Sequence, residues 1–485
     1  RAPRRVGLAS TRIVFDAERG QLAYEVVEPQ WGPAERAAAE TLGRALPQIL
    51  PPPAPGATDA ARAELIRYVA SEFLRPRYPT LAREELERVF YYRVRDAIGL
   101  GPIDAMLEDP EVEDVSCDGV GVPVYVYHAR HESLRTNVAF TNEAELNAFV
   151  VRLAQRCSRS LNVSRPLLDG MTPEGHRVQA TYAREVTSRG ASFTIRRFRD
   201  RPFTPIDLVR EGTLSEEMVA YLWMAAEHGD STIVLGGPGA GKTSTLNAVA
   251  LFIPPTAKIV SIEDTRELNL PHENWIPTTT RVGLGDREPL ATTSGEIDMF
   301  SLLSAALRQR PSHILVGEVR GKEAATMFQA MSTGHATYAT MHADSLRAMV
   351  SRLENPPIEV PRSLFGSLRE VLVETLVRTP AGPARRLSEI IEVRGLDPES
   401  SELVSSAIFR WDPAADRFDF QGQSALFERI ARATGRTGED VAVEFRRRTA
   451  AVRELVDSTS SMSPGELWRW FARFPNNSTT SSAAR

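Results

Sequence analysis

Cysteine is scarce. Cys117 and Cys157 are the only two in 485 residues. Two thiols cannot build a four-cysteine zinc site, and they read as buried thiols of a reducing compartment. Long apolar runs are also missing. No stretch of about 18 apolar residues occurs, so no membrane-spanning helix is expected. No secretory signal pattern opens the chain. The first residue is Arg1 rather than Met, and the numbering is expected to start inside a longer gene product. These absences together predict a cytosolic chain whose membrane role, if any, runs through a partner or a surface contact. Lysine is nearly absent too. Lys242, Lys258 and Lys322 are the only lysines among 58 basic residues, and the rest are arginine. Such a bias reads as genome composition, so arginine abundance alone is not a functional signal, and Lys242 stands out against it. The net charge of −5 is small for this length. It argues against a nucleic-acid protein with a globally basic surface.

What remains is an ordinary globular balance, 42% hydrophobic and 25% charged. The length calls for two or three domains.

The most informative segment is Gly236-Gly237-Pro238-Gly239-Ala240-Gly241-Lys242-Thr243, followed by Ser244. This is a complete G-x-x-x-x-G-K-[ST] phosphate-binding loop. Glycines let the backbone curl so that successive N–H groups point at phosphate oxygens. Lys242 is suited to reach the β/γ-phosphates, and Thr243 to offer a hydroxyl to Mg²⁺. The flanks agree. Residues 231–235 are a β-branched run, and residues 243–250 predict a helix whose N-terminus favours an anion.

Three later segments narrow the reading. Residues 258–263 form an apolar strand pattern that ends in Glu263-Asp264. Strand C-termini face the ligand crevice of an α/β sheet, where a carboxylate can hold Mg²⁺ or activate water. Alone, the same pair also suits a strand-end turn or a helix cap. Residues 312–317 form a second apolar strand, ending in Glu318, which is suited to position Mg²⁺ or polarise water. The third segment carries His335 and His342, seven residues apart, a spacing that can place both on one helix face. Zinc is one reading, but no further ligands stand at metal spacing. Structural histidines are a second, and a neutral imidazole that senses a γ-phosphate is a third.

The expected organisation runs as follows. Residues 1–58 are an N-terminal extension that ends in a Pro-rich linker, with Pro47 and Pro51–Pro55 breaking any helix. A helical plus small α/β domain spans 59–198, and a linker spans 199–207. A mainly parallel, RecA-like core covered by helices spans 208–395. Antiparallel strands with turns at 397–398 and 412–413, then helices, fill 396–475. A disordered Ser/Thr/Ala-rich tail spans 476–485.

These motifs together resemble the type II/IV secretion-system ATPases. The likeness is greatest to the archaeal branch that includes the archaellum motor and archaeal pilus-assembly ATPases. The resemblance rests on residues 236–244, Ser261–Ile276 and Glu296–Thr340, and upstream on Glu113–Tyr127 and Ser192–Val209. It implies an α/β fold: a RecA-like motor domain with a smaller α/β N-terminal domain. It implies a homo-hexamer that hydrolyses ATP with Mg²⁺ to power a type IV pilus, an archaellum or related secretion. The implied partners are a polytopic membrane platform protein and, indirectly, pilin-like subunits. The implied location is the inner face of the cytoplasmic membrane, reached through those partners. By motif position, the arginines that reach the phosphates from the N-terminal domain are Arg177 and Arg196. Glu263, Glu318, Lys242, His335 and His342 fall in the family's catalytic segments. Residues 237–244 fall in its nucleotide loop, and Thr243, Glu318 and Asp264 at its metal positions. One departure stands out: the segment that usually begins Arg-Pro-Asp reads Arg310-Pro311-Ser312 here. The four-cysteine module of many bacterial relatives is also lacking.

Two rivals from other classes are a RecA-like nucleic-acid translocase and a nucleotide-binding regulator. The first needs a basic, aromatic-studded channel. The only tight basic run is Arg446-Arg447-Arg448, read as a solvated helix face. Direct nucleic-acid binding is therefore not expected. The second rival is disfavoured by the presence of both Lys242 and Glu318.

Overall fold

Period-two alternation dominates the first part of the chain and unbroken apolar runs the second, and the two parts build different sheets. The structure is a computed structural model that describes residues 4–54, 56–198, 201–281, 297–379, 382–458 and 462–474. Packing divides the chain into two units, one ending at Phe198 and the other beginning at Arg199. The expected tail at 476–485, residues 199 and 200 of the expected linker, and Glu296 lie outside the described residues.

The first unit holds β1 (Arg4–Val6), β2 (Ala9–Asp16), β3 (Gln21–Val27), α1 (Pro33–Ile49), α2 (Asp59–Leu74), α3 (Arg83–Ala97) and α4 (Asp104–Leu107). These are followed by β4 (Val112–Cys117), β5 (Pro123–His128), β6 (Glu132–Ala139), α5 (Glu143–Arg156), β7 (Leu167–Met171), β8 (Arg177–Thr181) and β9 (Ser192–Arg196). One sheet runs β1-β2-β3-β6-β5-β4-β9-β8-β7. Alternation sends Val112, Val115 and Cys117 of β4 and Val124 and Val126 of β5 inward. Helix α5, capped by the Asn142 side chain, lays Leu146, Phe149, Val150 and Leu153 on them. Helices α1 to α3 pack on one another through Ala38, Leu42, Ile66, Leu74 and Val89.

Several expectations need correcting here. Helix α1 does not break at Pro47 but runs to Ile49. Pro47 sits in the last turn, where it forfeits one backbone bond, and Leu50 N–H still reaches the Leu46 carbonyl at 2.9 Å. Strands β3, β6 and β7 were not foreseen, because polar residues interrupt them and pairing with neighbours decides their conformation. Strand β3 pairs in parallel with β6 and joins the N-terminal strands to the main sheet. The expected boundary at 58/59 therefore separates strands and helices that pack within one unit.

The second unit begins α6 (Pro205–Arg210), α7 (Glu216–Glu227), β10 (Thr232–Gly236), α8 (Lys242–Ala250), β11 (Ile259–Glu263) and β12 (Trp275–Thr279). It continues α9 (Met299–Leu307), β13 (His313–Val316), α10 (Glu323–Ser332), β14 (Ala336–Met341) and α11 (Leu346–Glu354). It ends with β15 (Glu370–Thr379), β16 (Gly382–Leu396), β17 (Leu403–Asp412), β18 (Arg417–Phe420), α12 (Ala425–Thr434), α13 (Gly438–Asp457) and α14 (Pro464–Arg473). The order is β12-β11-β13-β14-β10-β15-β16-β17-β18. The first six strands are parallel and the last three add antiparallel. The fold is α/β with a RecA-like parallel core. One strand, β14, lies between the loop strand β10 and the strand β13 that leads to Glu318.

Every residue of β10, β11, β13 and β14 is buried, as a parallel sheet covered on both faces requires. Val234 packs into a cluster with α7, α8 and α12 to α14, whereas Ile233 and Leu235 pack with α9, α10 and α11. The expected division at 395/396 falls inside β16, so the C-terminal strands extend the core sheet instead of following it. Helix α14 seals the same core. Phe471 and Phe474 stand edge-on to Trp223 at 4.8 and 4.9 Å. The 446–448 run is not a solvated face throughout. Arg448 is buried, lies 4.3 Å over the Trp223 ring, and bonds Glu227 and Glu444.

Buried acids tie strands to helices. Glu392 on β16 accepts from Tyr221 Oη at 2.8 Å, Ser424 Oγ at 2.6 Å, and the Ala425 and Leu426 N–H groups at 2.6 and 3.1 Å. It thereby caps α12 from inside the sheet. Replacing Glu392 with Ala strands four buried donors. We expect a loss of about 3–5 kcal/mol, seen as a lower urea midpoint by tryptophan fluorescence. Glu374 on β15, 2% exposed and opposite Gly236, is pushed up to about 8 by burial, with Thr245, Arg385 and Lys242 pulling the other way. The folded chain thus keeps a proton that the unfolded chain releases near the ordinary 4.5. Its share of stability is full below that pH and is lost as pH rises to about 8. Melting temperature measured across this window should fall less steeply in Glu374→Gln.

Candidate nucleotide-binding and hydrolytic site

Strand β10 delivers the loop to the C-terminal edge of the parallel sheet, and α8 starts directly after it. Gly239 and Gly241 take φ of +69° and +111°, a region that side-chain-bearing residues avoid. At Gly241 a Cβ would also collide with the Glu374 carboxylate. Gly237, Pro238 and Gly239 are exposed, and Ala240 is buried. Arg385 Nε donates to the Gly239 carbonyl at 2.9 Å and braces the loop from β16. Thr243 and Ser244 are half-buried at the start of α8.

Lys242 is buried, so its ammonium needs acceptors. Nζ donates to the Gly237 carbonyl at 2.9 Å and faces His342 Nδ1 at 3.2 Å. An ammonium has no lone pair to offer, so Nδ1 must accept and the ring proton sits on Nε2. Nε2 lies 2.9 Å from Glu318 Oε1. Burial and Lys242 hold the His342 pKa below its ordinary value, which keeps the ring neutral and this tautomer in place. A chain Lys242–His342–Glu318 thus links the ends of β10, β14 and β13.

Glu318 is steadied from several sides. Burial raises its pKa, but Arg320, His342 and Lys242 outweigh burial and hold it below the ordinary carboxylate range. Thr340 Oγ1 donates to the Gly317 carbonyl at 2.5 Å, and Val319 N–H donates to the Thr340 carbonyl at 2.8 Å, which pins the turn to β14. Glu263, at the end of β11, packs against Gly317. Its Oε1 accepts the N–H groups of Glu267 and Leu268 at 2.8 and 2.9 Å. Its Oε2 is buried with no hydrogen-bond partner among the described residues. Burial pushes its pKa up to about 7 against those two backbone bonds. Asp264 is half-exposed beside Arg320.

The structure therefore brings Lys242, Thr243, Glu263, Asp264, Glu318 and His342 to one sheet edge. His335 is not among them. The two histidines do not share a helix, because a buried, β-branched and aromatic run, Ala336–Met341, separates them as a strand. Seven steps of about 3.3 Å each place them about 23 Å apart. His335 instead bonds the Thr333 hydroxyl at 3.1 Å and the Ala330 carbonyl at 3.2 Å, closing the end of α10.

Arg177 and Arg196 lie in the first unit as direct cross-strand partners on β8 and β9. Arg177 pairs with Asp169 at 3.2 Å, and Arg196 lies 3.9 Å from Asp114. Sequence reasoning missed Glu374 and Arg385, because the β15–β16 hairpin that carries them, although inside the expected 208–395 core, was not foreseen. It also missed Arg320, two residues beyond Glu318, because the local pattern does not say which carboxylates its side chain meets.

Thr243, Glu318 and Asp264 present only oxygen donors, a set that suits Mg²⁺ when water and phosphate complete the shell. Among the described residues no group of three His, Cys, Asp or Glu could hold a metal ion. No described helix is long and apolar enough to cross a membrane.

A Methanocaldococcus jannaschii protein of uncharacterized role is 38% identical over 377 residues, which is 77% of this chain and 67% of the relative. The type IV secretion system protein PtlH of Bordetella pertussis is 31% identical over 280 residues, 50% of this chain and 80% of that protein. The Legionella pneumophila ATPase DotB aligns in structure over 75% of this chain and 88% of its own, at 16% identity and a TM-score of 0.42. The profile of the type II/IV secretion system proteins matches residues 100–460, from before β4 to beyond α13. Most of the chain, with the whole sheet that carries the nucleotide loop, lies inside that match, and the chain belongs to the type II/IV secretion system protein family.

Proposed function

We propose that this chain is a Mg²⁺-dependent ATP hydrolase that works as a homo-hexamer and drives assembly of a type IV pilus-like filament, an archaellum or related secretion. The observation that carries the enzymatic part is the Lys242–His342–Glu318 chain, which couples the phosphate loop to an ionised acid. Family membership carries the biological part. The partners on this reading are a polytopic membrane platform protein and, through it, pilin-like subunits. The chain works at the inner face of the cytoplasmic membrane through that platform.

Phosphoryl transfer to water asks for positioning and charge neutralisation. The loop amides of residues 237–244 and the N-terminus of α8 bind the phosphates. Lys242 exchanges the Gly237 carbonyl and His342 for phosphate oxygens. Thr243, Glu318 and Asp264 would hold Mg²⁺, which would supply charge neutralisation at the phosphates. Glu318 accepts a hydrogen bond from the attacking water, with Glu263 Oε2 behind it. Once Lys242 moves, His342 Nδ1 is open to a new donor, so the ring registers whether the phosphate site is filled. On this reading Arg177 and Arg196 exchange Asp169 and Asp114 for phosphate oxygens, which their fork geometry suits. They release when the γ-phosphate leaves, and that release drives the mechanical step.

Two substitutions test the reading. Glu318→Gln is expected to lower kcat by about a hundredfold or more while a fluorescent ATP analogue still binds. Lys242→Ala is expected to abolish binding of the same analogue. Unchanged turnover in Glu318→Gln would remove Glu318 from the mechanism.

A further inference from the structure

Arg320 lies in the turn after β13, two residues beyond Glu318. Its Nη2 bonds Glu318 Oε2, and its Nη1 lies 3.6 Å from Asp264 Oδ2. One guanidinium therefore straddles the two carboxylates that end neighbouring strands β13 and β11. The backbone beneath it is anchored. Glu323 Oε1 accepts the N–H groups of Arg320 and Gly321 at 2.7 and 2.8 Å. The side chain itself is 53% exposed. A fixed turn that carries a half-exposed head on a long stem allows the head to move without disturbing the fold.

The other cationic or polar groups at Glu318 come from a different side. His342 approaches Oε1, and Lys242 stands behind His342. Asp264 is otherwise met by the Thr280 hydroxyl, 3.4 Å from Oδ1. The gap between Glu318 and Asp264 thus belongs to Arg320.

We propose that Arg320 is a positioning residue that occupies the cation position between Glu318 and Asp264 and yields it when Mg²⁺ arrives with the nucleotide. The inference rests on the ATP-hydrolase reading above. Its physical reason is that a guanidinium and a divalent cation within about 4 Å of each other repel, so the two compete for one pair of carboxylates. Before the nucleotide arrives, Arg320 keeps both acids compensated and holds their side chains toward each other. After it arrives, the freed head faces solvent at no burial cost. Arg320 thereby sets how much Mg²⁺ the site requires.

The test is equilibrium binding of a fluorescent, non-hydrolysable ATP analogue to the full chain, in EDTA and in rising MgCl₂. The quantity read is the ratio of affinities with and without Mg²⁺. Arg320→Gln is expected to raise that ratio about fivefold, the size typical of a half-exposed charge pair, and to lower the half-saturating MgCl₂. Arg320→Lys, which keeps the charge but loses the two-pronged fork, is expected to fall between the parent and Arg320→Gln. An unchanged ratio in Arg320→Gln overturns the proposal. Equal weakening in EDTA and in MgCl₂ also overturns it, because Arg320 would then be a direct phosphate ligand. A parent chain that binds no analogue, or a Lys242→Ala chain that binds it equally well, rejects the nucleotide reading and this inference with it.

Discussion

A buried ammonium must find acceptors, and the site is arranged around how Lys242 finds them. It bonds its own loop at Gly237 and presses on His342, which fixes the ring tautomer and leaves Nε2 at 2.9 Å from Glu318 Oε1. None of these bonds is strong on its own in the presence of water. In a largely buried pocket, each removes the cost of leaving a polar group unpaired. Every member of the chain is also held in a form that a phosphate can disturb. Within it the lysine meets a carbonyl and an imidazole, the imidazole is neutral, and the acid is ionised.

The rest of the second unit serves this arrangement. Parallel strands buried on both faces bring their C-terminal ends to one edge, so residues far apart in sequence converge there. Antiparallel strands β15 and β16 add a wall beside the loop. From that wall Glu374 closes against Gly241 and Arg385 holds Gly239. Helices α12 to α14 back that wall within the same core, with Glu392 as a cap inside the sheet. The C-terminal segment is therefore part of the second unit's framework, and its aromatic seal on Trp223 is continuous with the core under α8.

Much of the site was legible in the residues. The loop at 236–243 announced its glycines, its lysine and its flanking strand and helix through local geometry alone. Glu263, Asp264 and Glu318 were legible because apolar runs of strand length end on them. His335 and His342 were misplaced on one helix because a spacing of seven fits a helix as readily as a strand with two ends. The β-branched and aromatic residues between them were the overlooked signal. Glu374 was illegible for a different reason. A lone acid inside the apolar run 371–377 shows its burial only when β15 pairs with β10.

The sequence by itself determined the chemistry available: a phosphate loop, strand-end acids and a chain of α/β pattern that belongs to a secretion family. Each of these depends on short-range rules of backbone freedom, periodicity and charge. Only the tertiary structure decided which of those residues meet. It joined Lys242 to His342 across 100 residues, set Arg320 between two carboxylates and excluded His335. Strand order and burial control such meetings, and both arise from long-range pairing and desolvation that no local pattern encodes.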